Sequence, residues 1–151
     1  MSVNGYLEAD LEVPIGYLEA FASPGRTMFS VYRTTSGGFS GDVTYNNAVE
    51  NTYGYVDLDT GIFTSPTNGI FHFTFSAEAY NSVIRYVGVY INGTRKFVIL
   101  DQNDSNYFSN LSYSWYFALK TNDQVQLKVV RGLLYQYTDR RIYFNGYLVK
   151  A

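Results

Sequence analysis

Between Thr27 and the C-terminus, the chain breaks into short apolar or alternating runs separated by Gly, Asn, Asp, Pro and Ser. The spacing predicts about eight or nine strands and no long helix. They fall near Thr27–Arg33, Val43–Tyr45, Thr52–Val56, Ile70–Tyr80, Ile84–Ile91, Lys96–Leu100, Leu111–Leu119, Val125–Val130 and Ile142–Val149. Where alternation is clean, it assigns faces: Leu111, Tyr113, Trp115, Phe117 and Leu119 point one way, with Ser112, Ser114, Tyr116 and Ala118 opposite. Phe71, Phe73 and Phe75 share one face, and Ile70, His72 and Thr74 take the other. Ile84–Ile91 is apolar or aromatic on both faces, so a cover is expected on its second face, from an arm of the chain or another subunit.

The turns carry their own signals. Asn92-Gly93 can adopt positive φ at both positions and predicts a hairpin that folds Lys96–Leu100 onto Ile84–Ile91. Lys120–Gln124 and Thr138–Arg141 read as further polar turns. Residues 1–26 differ from the rest. They are acidic, repeat GYLEA at Gly5 and Gly16, and hold Leu7, Leu11, Pro14, Leu18 and Phe21 at heptad-like steps. Pro14 breaks any continuous helix there, so an N-terminal arm or neck remnant is expected, followed by one domain over 27–151.

Composition narrows the function classes. Aromatic residues make up 19% of the 151, with 16 Tyr and 11 Phe, which favours strands. No apolar run reaches the ~20 residues of a membrane-spanning helix, and the N-terminus lacks the basic start and apolar run of a signal peptide. The expectation is a soluble chain without membrane insertion. The absence of cysteine excludes disulfide frameworks and thiol chemistry. Net charge is −2; four acids, Glu8, Asp10, Glu12 and Glu19, precede the first base, Arg26. This near-neutral balance lacks the electrostatic footprint of a nucleic-acid binder.

Residues 45 to 75 resemble the signature of the complement C1q globular-head domain, in the tumour-necrosis-factor-like superfamily. Tyr45, Asn51, Val56, Phe63, Gly69, Phe71, Phe73 and Phe75 stand at its spacings. Tyr45, Val56 and Phe71 replace the usual Phe, aromatic or Leu, and Tyr. The runs Phe29–Thr34, Asp123–Val129 and Tyr143–Val149 are similar to the family's opening, penultimate and closing strands. The resemblance implies an all-β, ten-stranded antiparallel jelly-roll sandwich assembling as a homotrimer through aromatic faces, with His72 and Tyr32 as trimer contacts. Interfaces are enriched in such rings.

Candidate chemistry is sparse. A Ser-His-Asp system needs an oriented imidazole, and the only histidine, His72, lies on the face away from the phenylalanines, with no Gly-x-Ser-x-Gly elbow in the chain. One histidine also excludes a cupin-type metal centre. No enzyme is expected. Asp57–Gly61 reads as a turn rather than a calcium loop. Since some relatives hold calcium near the trimer apex, Asp123 and Asp139 are weak calcium candidates, and no cofactor is otherwise expected. In the run Arg131–Arg141, Tyr135, Tyr137, Asp139, Arg140 and Arg141 could stack on a sugar or grip an anionic group. Sequons at Asn92, Asn103 and Asn110 are close to chance frequency. The sequence therefore reads as a secreted, lectin-like recognition module of innate-immune type, binding glycans, microbial surface molecules or protein partners through apical loops. The alternative is a structural or regulatory trimeric head: a cytosolic caprin-like, a synaptic cerebellin-like or a bacterial appendage-tip protein.

Overall fold

The structure, a computed structural model, describes residues 27–34, 37–79, 84–102, 109–136 and 141–151. The expected arm over 1–26 lies outside them. The described residues form eleven strands: β1 (Met28–Arg33), β2 (Gly37–Asp42), β3 (Asn47–Glu50), β4 (Val56–Asp57), β5 (Ile62–Thr64), β6 (Gly69–Ala79), β7 (Ile84–Ile91), β8 (Thr94–Gln102), β9 (Ser109–Leu119), β10 (Gln124–Gln136) and β11 (Ile142–Lys150). Every pairing is antiparallel. One layer runs β3-β1-β11-β6-β9. The other runs β8-β7-β10, with β2 and β5 on the far edge of β10 and β4 beside β5. β10 joins the layers at one pair, Tyr135 opposite Glu78.

The long strands follow the alternation. In β6, Phe71, Phe73 and Phe75 are fully buried, and in β9 Leu111, Trp115 and Leu119 are buried against them. Ser112, Ser114, Tyr116 and Ala118 are exposed on the other side of β9. The departures lie in short segments. Val43 and Tyr45 are buried as expected but belong to no ladder; their backbone N–H groups donate to the carbonyls of Leu127 and Leu58. Single hydrogen bonds satisfy them without forming a strand. Thr52–Val56 is mostly turn, because Asn51 clamps it: its amide donates to the Val56 carbonyl (2.8 Å) and its carbonyl accepts the Val56 N–H (3.2 Å). β2, β3 and β5 are strands the pattern missed. β2 is glycine-rich, with Gly41 at φ 81°, and β3 and β5 are too short to show a period.

The core is a stack of rings. Phe29 meets Phe63 at 5.1 Å and Phe144 at 5.0 Å, and Phe73 meets Phe63 at 5.4 Å and Trp115 at 5.7 Å. Such offset and edge contacts add about 0.5–1.5 kcal/mol per pair beyond area burial. Two glycines exist because the rings and chain ends need their space. A Cβ on Gly146 would stand 2.5 Å from the Phe29 ring and 2.9 Å from that of Phe73; one on Gly69 would stand 2.7 Å from both Leu148 and the Lys150 carbonyl.

Among the described residues, the second face of β7 is covered from the same layer: the Lys128 ammonium stands 5.0 Å over Tyr90 and the Arg131 guanidinium 5.5 Å over Tyr86. On the inner face, in phase with Val87 and Val89, Arg85 is buried and donates from Nε to the Leu133 carbonyl at 2.7 Å. Gly132, at φ 76°, makes room: a Cβ there would meet Arg85 Cγ at 2.8 Å.

Tyr45 stands where the family signature has Phe, and its hydroxyl is buried without a hydrogen-bond partner. Burial also pushes its ionisation well above the usual phenol range. Tyr45→Phe removes an unsatisfied polar atom and should raise the unfolding free energy by about 1 kcal/mol in urea titration. Gly146→Ala should lower it by about 1–3 kcal/mol, the cost of overpacking between rings.

Candidate functional site

Two regions bear on function: the outer face of the β3-β1-β11-β6-β9 layer, and the connections at the ends of the sandwich.

On the outer face, residues in register form cross-strand rows. Met28 lies opposite Tyr147, Tyr147 opposite His72, and His72 opposite Tyr116. The imidazole packs edge-on against Tyr116 at 4.7 Å and tilted against Tyr147 at 5.2 Å. His72 is half-buried, while Met28, Tyr147 and Tyr116 are 43%, 48% and 63% exposed. The next row is polar: Ser30 donates to the Asn145 side chain, and Thr74 and Ser114 hydroxyls are 3.1 Å apart. A third row holds Tyr32 and Tyr143, with ring centres 5.4 Å apart. The Arg141 guanidinium stands 4.5 Å over Tyr32 and approaches the Tyr143 hydroxyl at 3.5 Å. That hydrogen bond, the first of the causes, raises the Arg141 pKa above its ordinary value. His72, Tyr32 and Arg141 therefore lie on one face. A shallow apolar groove lined by Met28, Ser30, Glu50, Asn145 and Tyr147 cuts the same face.

The strand registers sort the connections to opposite ends. Thr27, Lys150, residues 65–68, Asn92-Gly93 and residues 120–123 meet at one end. There the Ser65 N–H donates to the Asp123 carbonyl and the Thr121 N–H to the Asn68 side chain. At the other end lie the flanks of residues 34–36, 80–83, 103–108 and 137–140: Ile84 pairs with Gln102, Ala79 with Ser109, and Gln136 with Gly37. β10 links the two ends over 13 residues, about 40 Å at 3.3 Å per residue.

Asp123 belongs to the end that holds the described termini, whereas the flanks of the connection containing Asp139 are at the far end. The Asp123 carboxylate is also engaged: it accepts the Lys120 N–H (2.8 Å) and the Asn92 amide (3.0 Å). The Lys120 bond and then the Asn92 bond hold its pKa below the usual carboxylate value. Asn92, at φ 51°, completes the clamp by accepting the Gln124 N–H at 2.9 Å. Its side chain closes two turns, which explains the Asn in that sequon without a glycan. Asp57 likewise caps its own turn, accepting the Asp59 N–H at 3.0 Å. Among the described residues no group of three or more His, Asp or Glu is placed to hold a metal.

Of the predicted ligand contacts, only Arg141 is described in full. Tyr137, Asp139 and Arg140 lie outside the described residues, as does Asn103, and Tyr135 is described in its backbone alone. What sequence reasoning missed is the company of Arg141. Tyr143 follows it on β11, but Tyr32 comes from β1, and only the β1–β11 register brings the three together.

The model for the C1q domain matches residues 28–149. Mouse complement C1q tumor necrosis factor-related protein 6 is 28% identical over 112 residues, covering 71% of this chain and 42% of that protein. The mouse collagen alpha-1(X) chain is 28% identical over 110 residues, 71% of this chain and 16% of that one. The chain thus spans less than half the length of these relatives. Among solved structures, the globular domain of a zebrafish complement 1qA protein superposes with a TM-score of 0.65 at 20% identity, over 82% of this chain and 97% of that one. The Eiger TNF of S. frugiperda gives 0.60 at 10% identity, over 83% and 94%. Both likenesses concern the fold, which is the jelly roll. On the family match across nearly all of its described residues, the chain belongs to the C1q domain family.

Proposed function

We propose that the chain is a non-enzymatic recognition module that assembles as a homotrimer through the outer face of β3-β1-β11-β6-β9. It meets a carbohydrate or protein ligand with the connections at the end remote from Thr27 and Lys150. The observation that carries this reading is the Met28-Tyr147-His72-Tyr116 row. It is apolar and aromatic, in register across four strands, and continued by Ile70 and Val149, both more than 40% exposed. Tyrosine and methionine on an uncovered, flat sheet face are the composition of an interface core. The groove beside Met28 and Tyr147 is a socket for a side chain of a second copy.

Three copies would present three sets of far-end connections in one direction, so that weak contacts add as avidity. The C1q-related relatives support an extracellular setting for that task. Because Asp123 is closed by its own turn, calcium is taken as dispensable. Catalysis finds no footing at His72, whose ring contacts are two tyrosines. The collagen-chain relative favours a second reading, a structural trimeric head whose role is assembly alone.

In size-exclusion chromatography with light scattering, the chain is expected at three times its own mass. Tyr116→Asp should bring it to one chain mass with an unchanged β-type circular dichroism spectrum. A monomeric parent would overturn the trimer.

A glycan array probed with and without calcium should give the same positive spots under both conditions. A blank array, with the trimer intact, would favour the structural-head reading.

A further inference from the structure

The outer face of the second layer, formed by β10, β7 and β8, combines aromatic rings with cations. Its centre is Gly88. A Cβ there would stand 2.8 Å from the Tyr90 ring and 3.1 Å from the Arg95 stem, so both side chains lie flat over the bare backbone. Lys128, in register with Gly88 on the neighbouring strand, holds its ammonium 5.0 Å over Tyr90. One step along, Arg131 lies opposite Tyr86 with its guanidinium 5.5 Å over that ring. Lys96 is exposed where the β7–β8 register shifts, beside Arg95. An ion pair on this face joins Lys128 and Asp42 at 3.8 Å, both side chains more than a third exposed and so screened by water. A chain of net charge −2 thus gathers Arg95, Lys96, Lys128 and Arg131 around two half-buried tyrosines.

We propose that this face binds an acidic polysaccharide, a chain of sulfated or uronate-bearing sugars. The flat rings of Tyr86 and Tyr90 lie beneath Arg131 and Lys128 and hold these cations at the surface. Arg95, Lys128 and Arg131 reach the sulfate or carboxylate groups, with arginine able to give two parallel hydrogen bonds. With the Asp42 carboxylate beside Lys128, the face suits a polymer that brings hydroxyl donors as well as anionic groups, as a sulfated sugar chain does, over the continuous phosphate backbone of a nucleic acid. The surface is on the opposite layer from the Tyr116 face. It neither needs the trimer nor competes with the far-end ligand, so its failure is distinguishable from failure of the recognition reading.

The test is retention of the full chain on immobilised heparin, with uncharged dextran and a single-stranded oligonucleotide as competitors. Retention is expected at low salt, with displacement as sodium chloride rises, and heparin should compete best. Replacing Arg95, Lys128 and Arg131 together by Gln should weaken binding at least about tenfold, the loss expected for three charge-assisted contacts. Tyr86→Ala and Tyr90→Ala, each keeping every charge, should weaken it several-fold. Thermal melting would show which variants remain folded, and the Gln variant, altered only at surface side chains, decides if the tyrosine variants unfold. Lys120→Gln with Lys150→Gln removes two charges elsewhere and should leave binding unchanged. No retention at low salt, equal loss in that control, or stronger competition by the oligonucleotide would overturn the proposal.

Discussion

The contact on which the rest of the structure depends is the one between the Phe73 ring and its aromatic neighbours where the two layers meet. Phe29, Phe63, Phe71, Trp115, Phe117 and Phe144 all lie within 6.3 Å of it, drawn from β1, β5, β6, β9 and β11. Rings of that size leave no slack. Gly146 must lack a side chain so that Phe29 and Phe73 can close over β11, and Gly69 must lack one so that Leu148 and the Lys150 carbonyl can pass. A fixed inner face then fixes the outer one, because side chains alternate. Once Phe71, Phe73 and Phe75 point in, Ile70, His72 and Thr74 point out, and register aligns them with Tyr147, Tyr116 and Met28. The row proposed for assembly is thus a geometric consequence of the core.

The outer surfaces of the two layers divide along chemical lines. One carries apolar and aromatic residues with hydroxyls and amides between them, suited to burial against another copy. The other carries tyrosines laid flat under ammonium and guanidinium groups, which remain hydrated and suit a charged ligand. Buried polar groups sit at the joints: Arg85 is bonded to the Leu133 carbonyl beside the Gly132 bulge, close to where β10 passes from one layer to the other.

Much of this was legible in the sequence where the period was long. β6 and β9 announced both faces, the Asn-Gly turn announced its hairpin, and the family-like motif marked Phe63, Gly69 and the phenylalanines as the core. Asn51 was legible only as a motif position; its reason, a two-bond clamp on Val56, needed coordinates. Short elements were not legible, since β3 and β5 carry too few residues for a period to rise above chance, and the glycines of β2 leave it without an apolar alternation. The site was harder still. That Asp123 and the Asp139 connection belong to opposite ends follows from the unbroken 13 residues of β10 between them, and that Arg141 shares a face with Tyr32 follows from a pairing between residues more than a hundred positions apart. Local composition holds no record of them.

The central claim is that the aromatic row on the outer face of β1, β11, β6 and β9 is covered by other copies of the chain, and hydroxyl-radical footprinting read by mass spectrometry tests it most directly. In the isolated subunit Tyr116 is 63% exposed and Leu100, on the opposite layer, 55%. The account predicts that in the native protein Tyr116 and Tyr147 are protected while Leu100 is oxidised, and that Tyr116 becomes reactive on dilution below the assembly concentration. Oxidation of Tyr116 as readily as Leu100 at every concentration would contradict it.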